Sequence, residues 1–228
     1  MRIISLSEQP HSCGYLPDRL ALYESFIMLE ARPEEREILL ERGYRAFGKH
    51  YFRPKCSGCI ECVPIRIPVD TFQPNKSQRR LWKKSQEIRV EIDLPQFTEE
   101  KYAIYTDHLQ RFNRPAGQSS VEDFVFSFYD PEFPALEFLY YVGERLAAVG
   151  IVHEVSRALS SVYFTYRLEY SELSLGTFSV LKEIEHAKEL GKSHLYLGYY
   201  VADNHFMRHK ASFKPHEMRH PDGSWHKM

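Results

Sequence analysis

Residues 51–80 read YFRPKCSGCIECVPIRIPVDTFQPNKSQRR. Three of the chain's four cysteines, Cys56, Cys59 and Cys62, stand there at three-residue steps, and a basic segment with Trp82 follows almost at once. Cysteines repeated this way, in a chain with no export signal, are metal ligands or redox groups more often than disulfide partners. Pro54 and Pro64 bracket the segment and keep it out of regular helix. Ile65, Ile67 and Val69 then alternate with Arg66 and Pro68, which reads as a half-exposed strand, edge-like because of the proline.

Toward the N-terminus, residues 2–6 read as a short strand. Asp18 is placed to cap a helix with Leu20, Tyr23, Phe26 and Ile27 near helical spacing. Residues 33–42 form a second helix, with proline in its first turn and Gly43 just past its end. Residues 44–52 read as extended. Beyond the quoted stretch, residues 76–86 are helical, and Ile88, Val90 and Ile92 alternate as a strand. Residues 1–94 are thus expected to be a small cysteine-bearing α+β region, and residues 95–228 a second domain.

The second domain opens with helices over 99–112 and 121–128, on either side of a turn at Arg114-Pro115-Ala116-Gly117. Strands over 136–142 and 146–155 form a hairpin about Gly143-Glu144, and 160–166 is a third strand. Residues 176–190 make an amphipathic helix stopped by Gly191. A strand over 195–200 and a helix over 204–212 follow. The fold class is α+β: a mixed sheet with helices in the element order of the acetyltransferase-like (GNAT) fold, an analogy that by itself fixes no function.

The 228 residues can bury a core as one large domain or two small ones. Net charge is −1, so any nucleic-acid signal must be local. It is local: Lys76, Arg79, Arg80, Lys83 and Lys84 share a helix face, and residues 76–89 hold six Lys/Arg against Glu87 alone. Such a face neutralises phosphates, with Trp82 able to stack on a base, or else is simply solvated. With no apolar N-terminal core and no membrane-length run, the chain reads as cytoplasmic with reduced thiols.

Cys13 is able to complete a set of four thiolates, which suits zinc or an iron–sulfur cluster; the alternative is that one or two are buried hydrophobes. Ser174-Leu175-Gly176-Thr177 opens the amphipathic helix, where free N–H groups hold anions. The acyl-CoA version of the fold carries a glycine-richer loop there, which argues against CoA. Arg208, His209 and Lys210 form a second basic cluster just after the last core strand.

YFRPKCSGCIECVPIRI, FQPNKSQRR, LSSVY, LSLGTFSVLKEIEHAK, YLGYY and MRHKASFKPHE, in this order, resemble the aminoacyl-tRNA–protein transferases, and the length resembles the bacterial aspartate/glutamate leucyltransferases. The resemblance implies transfer of leucine, or arginine, from charged tRNA to the N-terminal residue of a protein, Asp or Glu, which marks it for degradation. It implies no cofactor for the chemistry, and zinc or an iron–sulfur cluster on Cys13, Cys56, Cys59 and Cys62. Partners would be an aminoacyl-tRNA and an acceptor N-terminus, with no membrane.

The chain departs from the family pattern at Arg167, within Tyr166-Arg167-Leu168-Glu169, at His153 and at His209. These departures keep in view a non-catalytic relative that binds tRNA or protein N-termini. On the catalytic reading, Glu169 or His153 orients the amine. Tyr166, Arg167, Ser174, Gly176, Thr177, Tyr199, Arg208 and Lys210 line the substrate site. Lys76, Arg79, Arg80 and Lys83 hold the tRNA stem. Arg167 or Arg66 meets an acidic acceptor.

Overall fold

A computed structural model describes residues 2–112, 120–130 and 134–228. The turn expected at Arg114–Gly117 lies outside the described residues. The elements in chain order are β1 (Arg2–Ser5), β2 (His11–Ser12), β3 (Leu20–Ala21), β4 (Tyr23–Glu30), α1 (Pro33–Glu41), β5 (Arg45–Phe47) and β6 (His50–Pro54). Then come β7 (Val63–Pro68), α2 (Lys76–Lys84), β8 (Arg89–Asp93), α3 (Glu99–Leu109) and α4 (Val121–Phe128). The chain closes with β9 (Ala135–Val142), β10 (Arg145–Glu154), β11 (Ala158–Tyr166), α5 (Leu175–Glu189), β12 (His194–Tyr200), α6 (His205–Arg208), β13 (Glu217–Arg219) and β14 (Trp225–Lys227). Among the described residues no helix is long and apolar enough to cross a membrane.

An eight-stranded sheet in the order β14-β13-β7-β12-β11-β10-β9-β8 forms the frame. Only its β11–β12 pair is parallel. The run β9-β10-β11-α5-β12 is the GNAT-like core that the element order implied. One cluster joins α5 to the sheet through Ile65, Ile67, Phe138, Leu159, Leu181 and Leu195. A second joins α3 and α4 to it through Ile104, Leu109, Phe124, Phe128 and Ile151. A separate four-stranded sheet, β1-β4-β6-β5, carries the N-terminal segment.

Two sequence expectations are corrected. The helix expected from Asp18 is strand: β4 pairs with β1 on one side and β6 on the other, and Asp18 has a φ of +60°. Its buried residues Ser25 and Met28 lie three apart, a spacing that imitates a helix face. β7 is interior rather than an edge, between β12 and β13, with Ile65 and Ile67 fully buried. Its prolines are tolerated because β13 pairs only with Arg66 and Ile65, leaving Pro64 and Pro68 unopposed on that side. Strands from both sides of residue 94 share the large sheet, since β7 pairs with β12 and β8 with β9.

Candidate active site

The parallel pair β11–β12 is closed only over Ala158–Ser160 and His194–Tyr196. Beyond that, β11 runs on to Tyr166 and β12 to Tyr200 without pairing, so the two strands part toward their carboxyl ends. Crevices outside the carboxyl ends of strands are where open sheets of this kind take ligands.

Three groups expected from sequence meet at this opening. Tyr166 ends β11. Ser174, with a φ of +53° and no side-chain cap, begins α5 at this end; Thr177 N–H donates back to the Ser174 carbonyl oxygen at 3.0 Å, while the N–H groups of Leu175 and Gly176 have no backbone partner among the described residues. Lys210, in the single turn after α6, donates from Nζ to the Tyr199 carbonyl oxygen at 3.1 Å. Burial, aided by the charge of Arg45, pushes the Lys210 ammonium down to about 7. Arg208 is exposed on α6 beside it.

Sequence reasoning missed Arg45. It reaches from β5 into the gap, donating from Nη1 to Ser160 Oγ at 2.7 Å and from Nη2 to the Ser161 carbonyl oxygen. Its guanidinium lies against Gly198, where a Cβ would come within 3.0 Å of Arg45 Nε and where φ is +81°. Gly198→Ala is therefore expected to lower stability by about 1–3 kcal/mol, from left-handed strain plus displacement of a buried cation, read as a fall in urea midpoint. An unchanged midpoint would show that Arg45 does not fill the gap as described.

Other expected residues stand elsewhere. His153 is buried on β10, and burial, with Arg45 and Arg36 nearby, holds it neutral well below the usual histidine range. Its neighbour in register is Ser160, at the closed end of the strand pair. The Glu169 carboxylate, three residues past Tyr166, is exposed and paired with Arg145 at the start of β10 at 2.7 Å. His153 is therefore not placed to orient an amine in the opening, and Glu169 is engaged by Arg145. Arg167 donates to the Leu146 carbonyl oxygen and to Glu100 Oε1, at 2.8 and 2.7 Å. Arg66 is held by Glu217 and the Tyr196 hydroxyl and covered by Trp225. Neither guanidinium is free for an acidic acceptor. The Tyr199 ring points away from the crevice, its hydroxyl donating to the Gly43 carbonyl oxygen at 2.8 Å.

On α2, Asn75 caps the first turn by accepting the Gln78 N–H at 2.9 Å. Gln78 and Ser85 are buried, while Lys76, Arg79, Arg80, Lys83 and Lys84 are all exposed as expected. Trp82 is half-buried, packed against Phe178 with the Lys182 ammonium over its ring.

The cysteines gather. Tyr15 N–H donates to Cys13 Sγ at 3.5 Å, Leu22 N–H to Cys56 Sγ at 3.4 Å and Arg19 Nη1 to Cys59 Sγ at 3.4 Å. Burial, then the nearness of Cys13, Cys56 and Cys59, pushes the Cys62 thiol up to about 12. Four thiols suit a soft metal chemically. Among the described residues, however, no three His, Cys, Asp or Glu side chains are arranged as a metal cage, and no step is derived from one. Beside the thiols runs a groove of about 550 Å³ whose wall includes Arg42, Arg53, Lys55, Arg219 and the Tyr199 ring.

Comparison with known proteins follows the same lines. The profile described as "Arginine-tRNA-protein transferase, C terminus" matches residues 100–220, and its N-terminus counterpart matches residues 11–80. An aspartate/glutamate leucyltransferase of Helicobacter hepaticus is 30% identical over 96% of this chain and 92% of its own length. One from Chromobacterium violaceum is 33% identical over 96% and 91%. Among solved structures, L-PGS from Bacillus licheniformis aligns with a TM-score of 0.48 at 14% identity, over 75% of this chain and 51% of that one. FemX aligns with a TM-score of 0.47 at 11% identity, over 80% and 64%.

Proposed function

The chain belongs to the aminoacyl-tRNA–protein transferase family, and we propose that it moves leucine from leucyl-tRNA to the α-amino group of a protein beginning with Asp or Glu. The donor and acceptor follow the names of the relatives. The observation that carries the reading is the parted β11–β12 end, with the first turn of α5, where the Leu175 and Gly176 N–H groups have no backbone partner among the described residues, on one side and the Lys210 amine on the other.

The chemistry needs little more. An aminoacyl ester is already activated, and a terminal α-amine with a pKa of about 7.7–8.0 is partly neutral near pH 7. The amine nitrogen attacks the ester carbonyl, and the developing oxyanion faces the first turn of α5. The amine proton passes to Lys210 and on to the ribose oxygen as the ester C–O bond breaks and the amide remains. For the acidic acceptor side chain, we assign Arg42 and Arg219 in the neighbouring groove. Neither has a carboxylate partner among the described residues. Tyr199 joins the two places: its ring lines the groove and its carbonyl oxygen holds Lys210. In the cytoplasm the product would carry an N-terminal leucine that directs degradation. Metal analysis of anaerobically purified protein tests zinc or a cluster on the thiols, with Cys59→Ser as control.

The test of the reading is labelled leucine appearing on an Asp-initiated peptide. A chain that binds leucyl-tRNA and yields no labelled peptide is a binding module instead. For the tRNA stem the reading uses Lys76, Arg79, Arg80 and Lys83. Changing all four to Gln is expected to weaken tRNA binding and to flatten the plot of log affinity against log salt by about 0.7–0.9 for each phosphate no longer neutralised. An unchanged slope would move the stem off α2.

A further inference from the structure

We propose that Phe112 and Phe206, with Tyr166 and Arg111 beside them, form a stacking platform for the unpaired 3′-terminal adenosine of the charged tRNA. The inference rests on the tRNA-dependent reading above. Phe112 and Phe206 are 39% and 37% exposed, large rings left in water at one place. Their centroids are 4.9 Å apart, edge to face. Tyr166 ends β11, and Phe206 lies on α6 after β12, so the cluster bridges the ends of the two parted strands.

The Arg111 guanidinium sits 5.0 Å from the Tyr166 ring centroid and 5.5 Å from that of Phe206. Among the described residues it has no carboxylate partner. His108 adds no charge: its Nδ1 accepts the Tyr166 N–H, and burial, then Arg111, pushes it down to about 4. Tyr166 itself is buried and backs the cluster, so the surface offered to an unpaired base and its phosphate is the exposed part of the Phe112 and Phe206 rings beside the Arg111 cation.

Spacing decides between an adenosine and an apolar side chain. Phe206 and Lys210 stand one helical turn apart, tied by His209 Nδ1 at 2.9 Å from the Phe206 carbonyl oxygen. The amino acid is esterified to the ribose of the terminal adenosine. A base stacked on Phe206 therefore sets its ester one turn from the Lys210 amine.

The experiment compares binding of deacylated tRNA with that of the same tRNA lacking its terminal adenosine. The wild-type chain is expected to bind the truncated tRNA about 5- to 150-fold more weakly, the range of one base–aromatic stack. Phe206→Leu keeps apolar packing but removes the π face. It should keep its thermal midpoint, bind intact tRNA as weakly as truncated, and keep the salt slope. Phe206→Trp should restore the difference. Equal wild-type binding of the two tRNAs, or an undiminished ratio in Phe206→Leu, would overturn the platform alone. Binding of neither tRNA would overturn the transferase reading and the platform with it.

Discussion

Lys210→Met is expected to slow leucyl transfer by about 100-fold or more while leaving tRNA binding within a few-fold of wild type, the usual range for losing a positioned proton acceptor. The side chain is half-buried against Met207 and the Tyr199 carbonyl, so methionine fits the same space. The pH profile separates this role from a packing role. Lys210 is pushed down to about 7 by burial and by Arg45. It accepts a proton only when neutral, so the wild-type rate should fall as pH drops below about 7. The variant keeps only the titration of the acceptor amine, at about 7.7–8.0. Below about 7 its profile should therefore be shallower, falling roughly tenfold per pH unit where the wild type, needing both groups neutral, falls roughly a hundredfold. Equal rates and superimposable profiles would remove Lys210 from the chemistry.

The largest stability effect should come from the pair Lys101–Glu137, which joins α3 to β9 beneath α4. Lys101 Nζ lies 2.5 Å from Glu137 Oε2, with the two side chains 8% and 1% exposed. The Tyr129 hydroxyl donates to the other carboxylate oxygen at 2.8 Å. Lys101→Met strands a buried carboxylate and is expected to cost about 3–5 kcal/mol in urea unfolding. The double variant Lys101→Met/Glu137→Leu should recover most of that loss, because a buried pair exchanged for apolar groups is often neutral. A single variant as stable as wild type would mean that the pair is open to water.

Glu183 on α5 sets a slower drift with pH. It is 1% exposed, accepts hydrogen bonds from Ser179 Oγ, at 2.8 Å, and from the Ser161 side chain, and is nonetheless pushed up to about 7 by burial. A carboxyl raised in the folded state holds its proton longer than in the unfolded chain. Stability is then fullest below about 4.5 and falls as pH rises through about 7. Glu183→Gln should abolish this fall, measured as urea midpoints across the range from about pH 5 to about pH 8.

The GNAT-like core was legible because its signals are local. The 176–190 periodicity, the Gly143 hairpin and the alternating strands each reside within a few turns of chain, and α5 with β9–β12 follows them. The opening was legible for the same reason: element order alone puts Tyr166, Ser174–Thr177 and Lys210 at the ends of β11 and β12. What was not legible depends on distant partners. Arg45 acts through Ser160, 115 positions away. Glu169 and Arg167 read as available in the sequence, but Arg145 and Glu100 hold them in the fold. β4 was misread because β1 and β6, not its own spacing, decide its conformation. Phe112 and Phe206 carry no motif, and only folding brings them together.

The central claim is transfer from tRNA to an acidic N-terminus. It is tested most directly by giving the purified chain labelled leucyl-tRNA, arginyl-tRNA or acetyl-CoA in turn, with peptides that begin with Asp, Glu, Lys or Ala. The account predicts label from leucyl-tRNA on the Asp and Glu peptides, and none once their α-amines are acetylated. Label arriving from acetyl-CoA instead, or no label on any peptide from any donor, would contradict it.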